Sequence, residues 1–147
     1  MQETVTVQEV AQQLQQEHAE LHHLFEEAAQ ASDLAQMSGF LASLHHRLTA
    51  HFNAEERPGG LYDTLGFCAP EFRRPLGQLV DDHFRLAATA RNLRERARAV
   101  GGVDTDALRV DIARLVRAVA EHENRELEMV RQATGRAPTP ARTPAAG

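Results

Sequence analysis

Cysteine is almost absent: Cys68 is the only one in 147 residues, so no disulfide can close within the chain and no thiolate metal site is suggested. Long apolar runs are missing too. No stretch approaches the roughly 20 apolar residues that cross a bilayer, and the opening MQETVTVQEV lacks the basic region and continuous apolar run of a secretory leader. There is no excess of positive charge. The formal net charge of −5 disfavours a nucleic-acid partner, because phosphate-binding surfaces are usually basic. Neither a membrane nor a nucleic acid is therefore an expected partner, and a cytoplasmic location fits the thiol content best. Strand patterning is also missing, since no segment alternates apolar and polar residues over a useful length.

What is present is an ordinary composition, 42% apolar and 25% charged, long enough for one domain with its own core. The unusual feature is eight histidines. Proline and glycine cluster around residues 57–60, 70–75 and 101–102 and in the tail after Thr134. Between these breaks the spacing predicts four amphipathic helices. The first runs from about Val7 to Ala31 with Leu14, Leu21, Phe25 and Ala28 on one face. The second starts at Ser32 or Asp33 as cap, carries Leu41, Leu44 and Leu48, and stops at Pro58. The third opens at Pro70 or Pro75 and shows Leu76, Val80, Leu86, Ala90 and Leu93 before Gly101. The fourth opens at Asp104 or Thr105 and carries Leu108, Ile112, Leu115, Val119 and Met129. The expected fold is all-α, an antiparallel up-down-up-down four-helix bundle over residues 1–133. A Pro- and Ala-rich tail over 134–147 is expected to be disordered.

Histidines and carboxylates interrupt the apolar stripes. The second helix continues its core face with His51 and Glu55, and the fourth does so with His122 and Glu126. His18 falls between Leu14 and Leu21, and His83 between Val80 and Leu86. At about 1.5 Å per residue, His18 lies roughly 18 Å before the first turn and His51 roughly 25 Å after it. The same rise puts His83 roughly 22 Å before its turn and His122 roughly 25 Å after it. Four imidazoles and two carboxylates thus share one layer. Facing buried carboxylates repel and cost several kcal/mol unless compensated, and divalent metal supplies the compensation. Each His-x3-Glu pair can place a nitrogen and an oxygen on one metal, with the carboxylate free to reach a second. The predicted ligands are His18, His51, Glu55, His83, His122 and Glu126, around two metal ions. Imidazole with carboxylate suits iron or manganese; iron is preferred, with manganese and zinc behind it.

The segments EHAEL around His18, HFNAEE from His51 to Glu56, DDHFRL around His83 and EHENRE from Glu121 to Glu126 resemble the hemerythrin-like proteins of the HHE cation-binding class. The resemblance covers nearly the whole chain apart from the last dozen or so residues. It implies a non-haem di-iron centre with an oxo or hydroxo bridge, Glu55 and Glu126 bridging, and the histidines as terminal ligands. Two departures from the oxygen carriers of that class matter. Where those carriers have a second histidine four residues after the first in the third helix, this chain has Ala87. Their His-x4-Asp is replaced by His122-x3-Glu126, followed by Leu127. One terminal imidazole is missing, which implies an open coordination position and makes reversible oxygen carriage a poor fit. The resemblance then implies binding or sensing of oxygen, nitric oxide or related small oxidants, with a protein partner if the chain is a sensor. The alternatives are a di-iron enzyme that decomposes peroxide or oxidises ferrous iron, an iron-handling protein, and a bundle that uses metal for stability alone.

Other residues have blander expectations. His22, one turn after His18, could replace or supplement it, although the stripe places His18 more centrally. His23, His45 and His46 should be solvated or at bundle edges, and Glu56 should cap or solvate. Tyr62 and Phe67, in the long segment between helices two and three, form a hydrophobic plug or a lid. Cys68 is a small residue without an evident role, and Arg91, Arg94, Arg96 and Arg98 read as a solvated face.

Overall fold

The computed structural model describes residues 6–99, 102 and 104–135. Its helices are α1 (Val7–Gln30), α2 (Leu34–Glu56), α3 (Leu61–Cys68), α4 (Arg73–Arg98) and α5 (Thr105–Thr134), with a single 3-10 turn at Pro70–Phe72 leading into α4. No strand occurs among the described residues. Most of the tail, from residue 136 on, lies outside them.

Helix starts follow the local chemistry. Thr6 and Glu9 form a reciprocal capping box on α1. The Asp33 carboxylate accepts from the Gln36 N–H at 2.8 Å, and Asp104 accepts from the Asp106 and Ala107 amides. Of the two prolines offered as the start of the third long helix, Pro70 opens the 3-10 turn and Pro75 sits inside the first turn of α4, where no N–H is needed. Arg57, held in extended geometry by the proline that follows it, ends α2.

The four long helices form an all-α bundle in which α1 packs on α2 and α5, and α4 packs on the same two. Cross-helix pairs fix the directions. Glu17 meets His51, His45 meets Arg94, Arg96 meets Asp111, and Arg109 bonds the carbonyls of Ala29 and Ala31, so neighbours run antiparallel. The core has two parts. The larger contains Leu21, Phe25, Leu44, Leu48, Leu93, Ile112 and Leu115; the smaller contains Leu14, Leu61, Leu65, Leu79 and Val130. The polar layer sits between them.

The segment between the second and third long helices departs from expectation. It forms α3, which buries Leu61, Tyr62 and Leu65 and leaves Phe67 89% exposed, so Tyr62 plugs and Phe67 does not. Because α3 packs on α4 and α5, the buried face there turns by one residue: Leu79 and Val130 are buried, and Val80 and Met129 only partly so. Glycine makes the connection possible. Gly59 has φ +78, and a Cβ on Gly60 would lie 2.8 Å from the Glu55 carbonyl and closer still to that of Ala54. The chain therefore turns back tightly over the end of α2, which sets Tyr62 above the polar layer. No helix among the described residues is long and apolar enough to cross a membrane.

Candidate metal centre

All six sequence-predicted residues are buried and come together in two overlapping clusters. Glu55, His83, His122 and Glu126 each offer an atom within 4.8 Å of the others, and His18, His51 and Glu55 do the same. Glu55 belongs to both. Its Oε1 lies 3.2 Å from His51 Nε2 and 3.4 Å from His83 Nε2, while Glu126 Oε1 lies 2.9 Å from His122 Nε2. Glu55 is thus placed between two centres, and Glu126 groups with the His83 and His122 side.

The atoms facing the middle of this layer lack hydrogen-bond partners: Nε2 of His18 and of His51, and both carboxylate oxygens of Glu55 and of Glu126. Buried polar atoms are rarely left so, and a set of inward-facing nitrogens and oxygens fits divalent or trivalent metal. Electrostatics agree. Burial brings His18 down to about 4 against the pull of Glu126, and burial likewise lowers His83 to about 4, against the pull of Glu56. Both imidazoles are neutral near pH 7, as ligation requires. Burial and then the adjacent Glu126 carboxyl push Glu55 up to about 12, so without a cation one of the two carboxyls keeps a proton.

The outer nitrogens face a second set of carboxylates, each from the next helix around the bundle. The Nδ1 of His51 lies 2.7 Å from Glu17 on α1, and that of His83 lies 2.9 Å from Glu56 on α2. His122 Nδ1 is 3.5 Å from Asp82 on α4, and His18 Nδ1 is 3.9 Å from Glu123 on α5. Partners at hydrogen-bond distance, as for His51 and His83, fix the ring orientation and turn Nε2 toward the middle of the layer. Glu56 therefore holds His83 in place, contrary to the expected capping or solvated role. Glu123 is only 5% exposed, and the sequence reading missed it; its acidic neighbourhood in EHENRE was the available signal.

Tyr62, expected to form a hydrophobic plug or a lid, has its hydroxyl in the site. It lies 2.8 Å from His83 Nε2 and 3.4 Å from His122 Nε2. The His83 ring is sandwiched, with Phe52 at 3.9 Å and 10° on one side and Tyr62 at 5.3 Å and 18° on the other. Burial, then Glu126 and Glu55, raise the phenol above its ordinary value, so nothing in the protein itself would ionise it. Ala87 packs against the larger apolar cluster, away from this layer. His22, 42% exposed in its side chain, belongs to neither cluster and bonds Glu123 at 2.8 Å. His23 is exposed and pairs with Glu27, and His45 is half-buried beside Arg94.

The hemerythrin HHE cation-binding domain model matches residues 9–132. No curated protein and no solved structure matches the chain. With that model covering nearly all of the bundle and both metal-compatible clusters inside the match, this chain belongs to the hemerythrin HHE cation-binding family.

Proposed function

We propose that the layer holds two iron ions, one at Glu55, His83, His122 and Glu126 and the other at His18, His51 and Glu55, and that a small oxygen or nitrogen-oxide ligand binds beside His18 and His51. The observation that carries this reading is the asymmetry of the clusters: four groups and the Tyr62 hydroxyl on one side, three groups on the other. The Tyr62 oxygen supplies the donor that Ala87 cannot. The open position then belongs to the His18 and His51 side, which differs from the sequence expectation of a gap beside His83. The iron pair, when bound, supplies electrons and a coordination position for the ligand. The chain's own residues do the rest. Glu17, Glu56, Asp82 and Glu123 orient the imidazoles, Glu55 spans the two positions, and the apolar clusters above and below exclude bulk water.

The reading is tested by iron content of the purified protein, with absorption spectra before and after reduction and after adding nitric oxide. About two irons per chain and a nitric-oxide-dependent band support it; no iron after reconstitution would remove it. Peroxide decomposition is the second reading, favoured by Tyr62. An anionic phenol oxygen stabilises the higher oxidation state, as tyrosine ligation does in haem catalases, and this suits turnover better than reversible carriage. Peroxide consumption lost in His83→Ala supports that reading, and consumption no faster than with free iron excludes it.

A further inference from the structure

Three clefts border the layer from outside, with its inward-facing ligand atoms sealed from solvent. One of about 170 Å³ lies between α1, the end of α2 and the start of α3, with Leu14, Glu17, Ala54 and Leu61 as walls and Glu55 lining it. A second of about 410 Å³ follows the seam between α1 and α2 and is lined by Glu17, Leu21, Ala50, Ala54 and His51. The third, about 330 Å³, is lined by Tyr62, Gly66, Gly77 and Val80.

The first two share Glu17 and Ala54 as walls, so they are adjoining halves of the α1 and α2 seam. Both touch groups of the three-residue cluster. Alanines at 50 and 54 leave this groove open, and Glu17, 31% exposed in its side chain, leans across it to His51. The third cleft is closed at its inner end by the Tyr62 ring, which is 7% exposed and stacked on His83. Opening it would break the Tyr62 hydroxyl contact with His83.

We infer that small ligands enter along the α1 and α2 seam and that Ala54 sets its width, making it a residue that controls the rate of entry. The inference rests on the proposed function, since it supplies the route to the His18 and His51 side. A water molecule's share of liquid volume is about 30 Å³, so the smaller half, at about 170 Å³, has ample room for a diatomic or a peroxide. Bulk at position 54 narrows both halves together, because this side chain lines each of them.

The test is stopped-flow mixing of nitric oxide with ferrous-loaded protein. Ala54→Phe should slow association by about tenfold or more, with wild-type iron content and final absorbance change. A wild-type rate in Ala54→Phe overturns the inference. So does a slow rate in Gly77→Phe alone, which would place entry at the Tyr62 cleft. If Ala54→Phe does not fold by circular dichroism, Val10→Phe on the facing wall of the smaller half carries the same test. Wild-type protein that loads iron and takes up no nitric oxide removes the proposed function, and the route with it; equal rates in wild type and variants remove the route alone.

Discussion

Replacing Glu55 by methionine should stabilise the metal-free protein and abolish the metal pair. Glu55 is 3% exposed, neither of its oxygens has a hydrogen-bond partner, and its pKa lies near 12 against 4.5 in the unfolded chain. At pH 7 the native carboxyl is protonated and the unfolded one ionised. The cost spans two and a half pH units, from 4.5 to 7, at about 1.4 kcal/mol each, or about 3–4 kcal/mol. Methionine fills similar space and carries no proton to account for. At about 2–4 °C per kcal/mol for a chain of this size, the variant should melt roughly 6–16 °C above metal-free wild type. Metal-loaded wild type should still melt higher than either, because metal replaces the proton on Glu55. The assay is thermal unfolding by circular dichroism, after chelation and after reconstitution. The sign with pH follows. Metal-free wild type loses stability as pH rises above 4.5, since only the unfolded state releases the Glu55 proton, and it loses stability as pH falls from 6.5 towards 4, since only the unfolded state protonates His18 and His83. Its optimum should therefore fall near the ordinary histidine value, and the alkaline limb should become shallower in Glu55→Met, where the raised Glu123 and Tyr62 still contribute. A variant less stable than metal-free wild type at pH 7 would refute the reasoning.

Glu55→Ala and Glu126→Ala should each lose at least one metal ion by elemental analysis; full retention in Glu55→Ala would contradict its place between the clusters. Glu56→Ala should weaken metal binding by about 10- to 100-fold in competition with a chelator, because His83 loses the carboxylate on its Nδ1. Gly60→Ala should cost about 1–3 kcal/mol in denaturant unfolding, since its Cβ meets the Ala54 and Glu55 carbonyls. It should also displace Tyr62, visible as a change in the absorption spectrum of the iron-loaded protein.

The four long helices were legible because their apolar spacing runs over many turns, and the six inward-facing residues because they break that spacing at one height. Helix α3 was not legible. Its eight residues are too few for a periodic signal, and Gly66 sits among them. Tyr62 was hidden for the same reason, since its place in the site depends on a turn closed by Gly59 and Gly60. The outer carboxylates escaped for a different one. Glu17, Glu56, Asp82 and Glu123 are each next in sequence to an inward-facing residue, so periodicity places them off the core face; they bond across to another helix, which a one-helix pattern cannot show.

Those four contacts run from α1 to α2, α2 to α4, α4 to α5 and α5 back to α1. Three of these contacts are hydrogen bonds to a candidate ligand ring, and the α5 to α1 link is made by His22, which Glu123 holds at 2.8 Å with His18 3.9 Å away. Turning one helix by a single residue, about 100°, would break two links at once, and neighbours would resist from both sides. The circuit therefore acts as a rotational lock that keeps the imidazoles aimed inward before any metal arrives. The ordering entropy of the ligand rings is lost during folding, leaving less of it to oppose metal uptake.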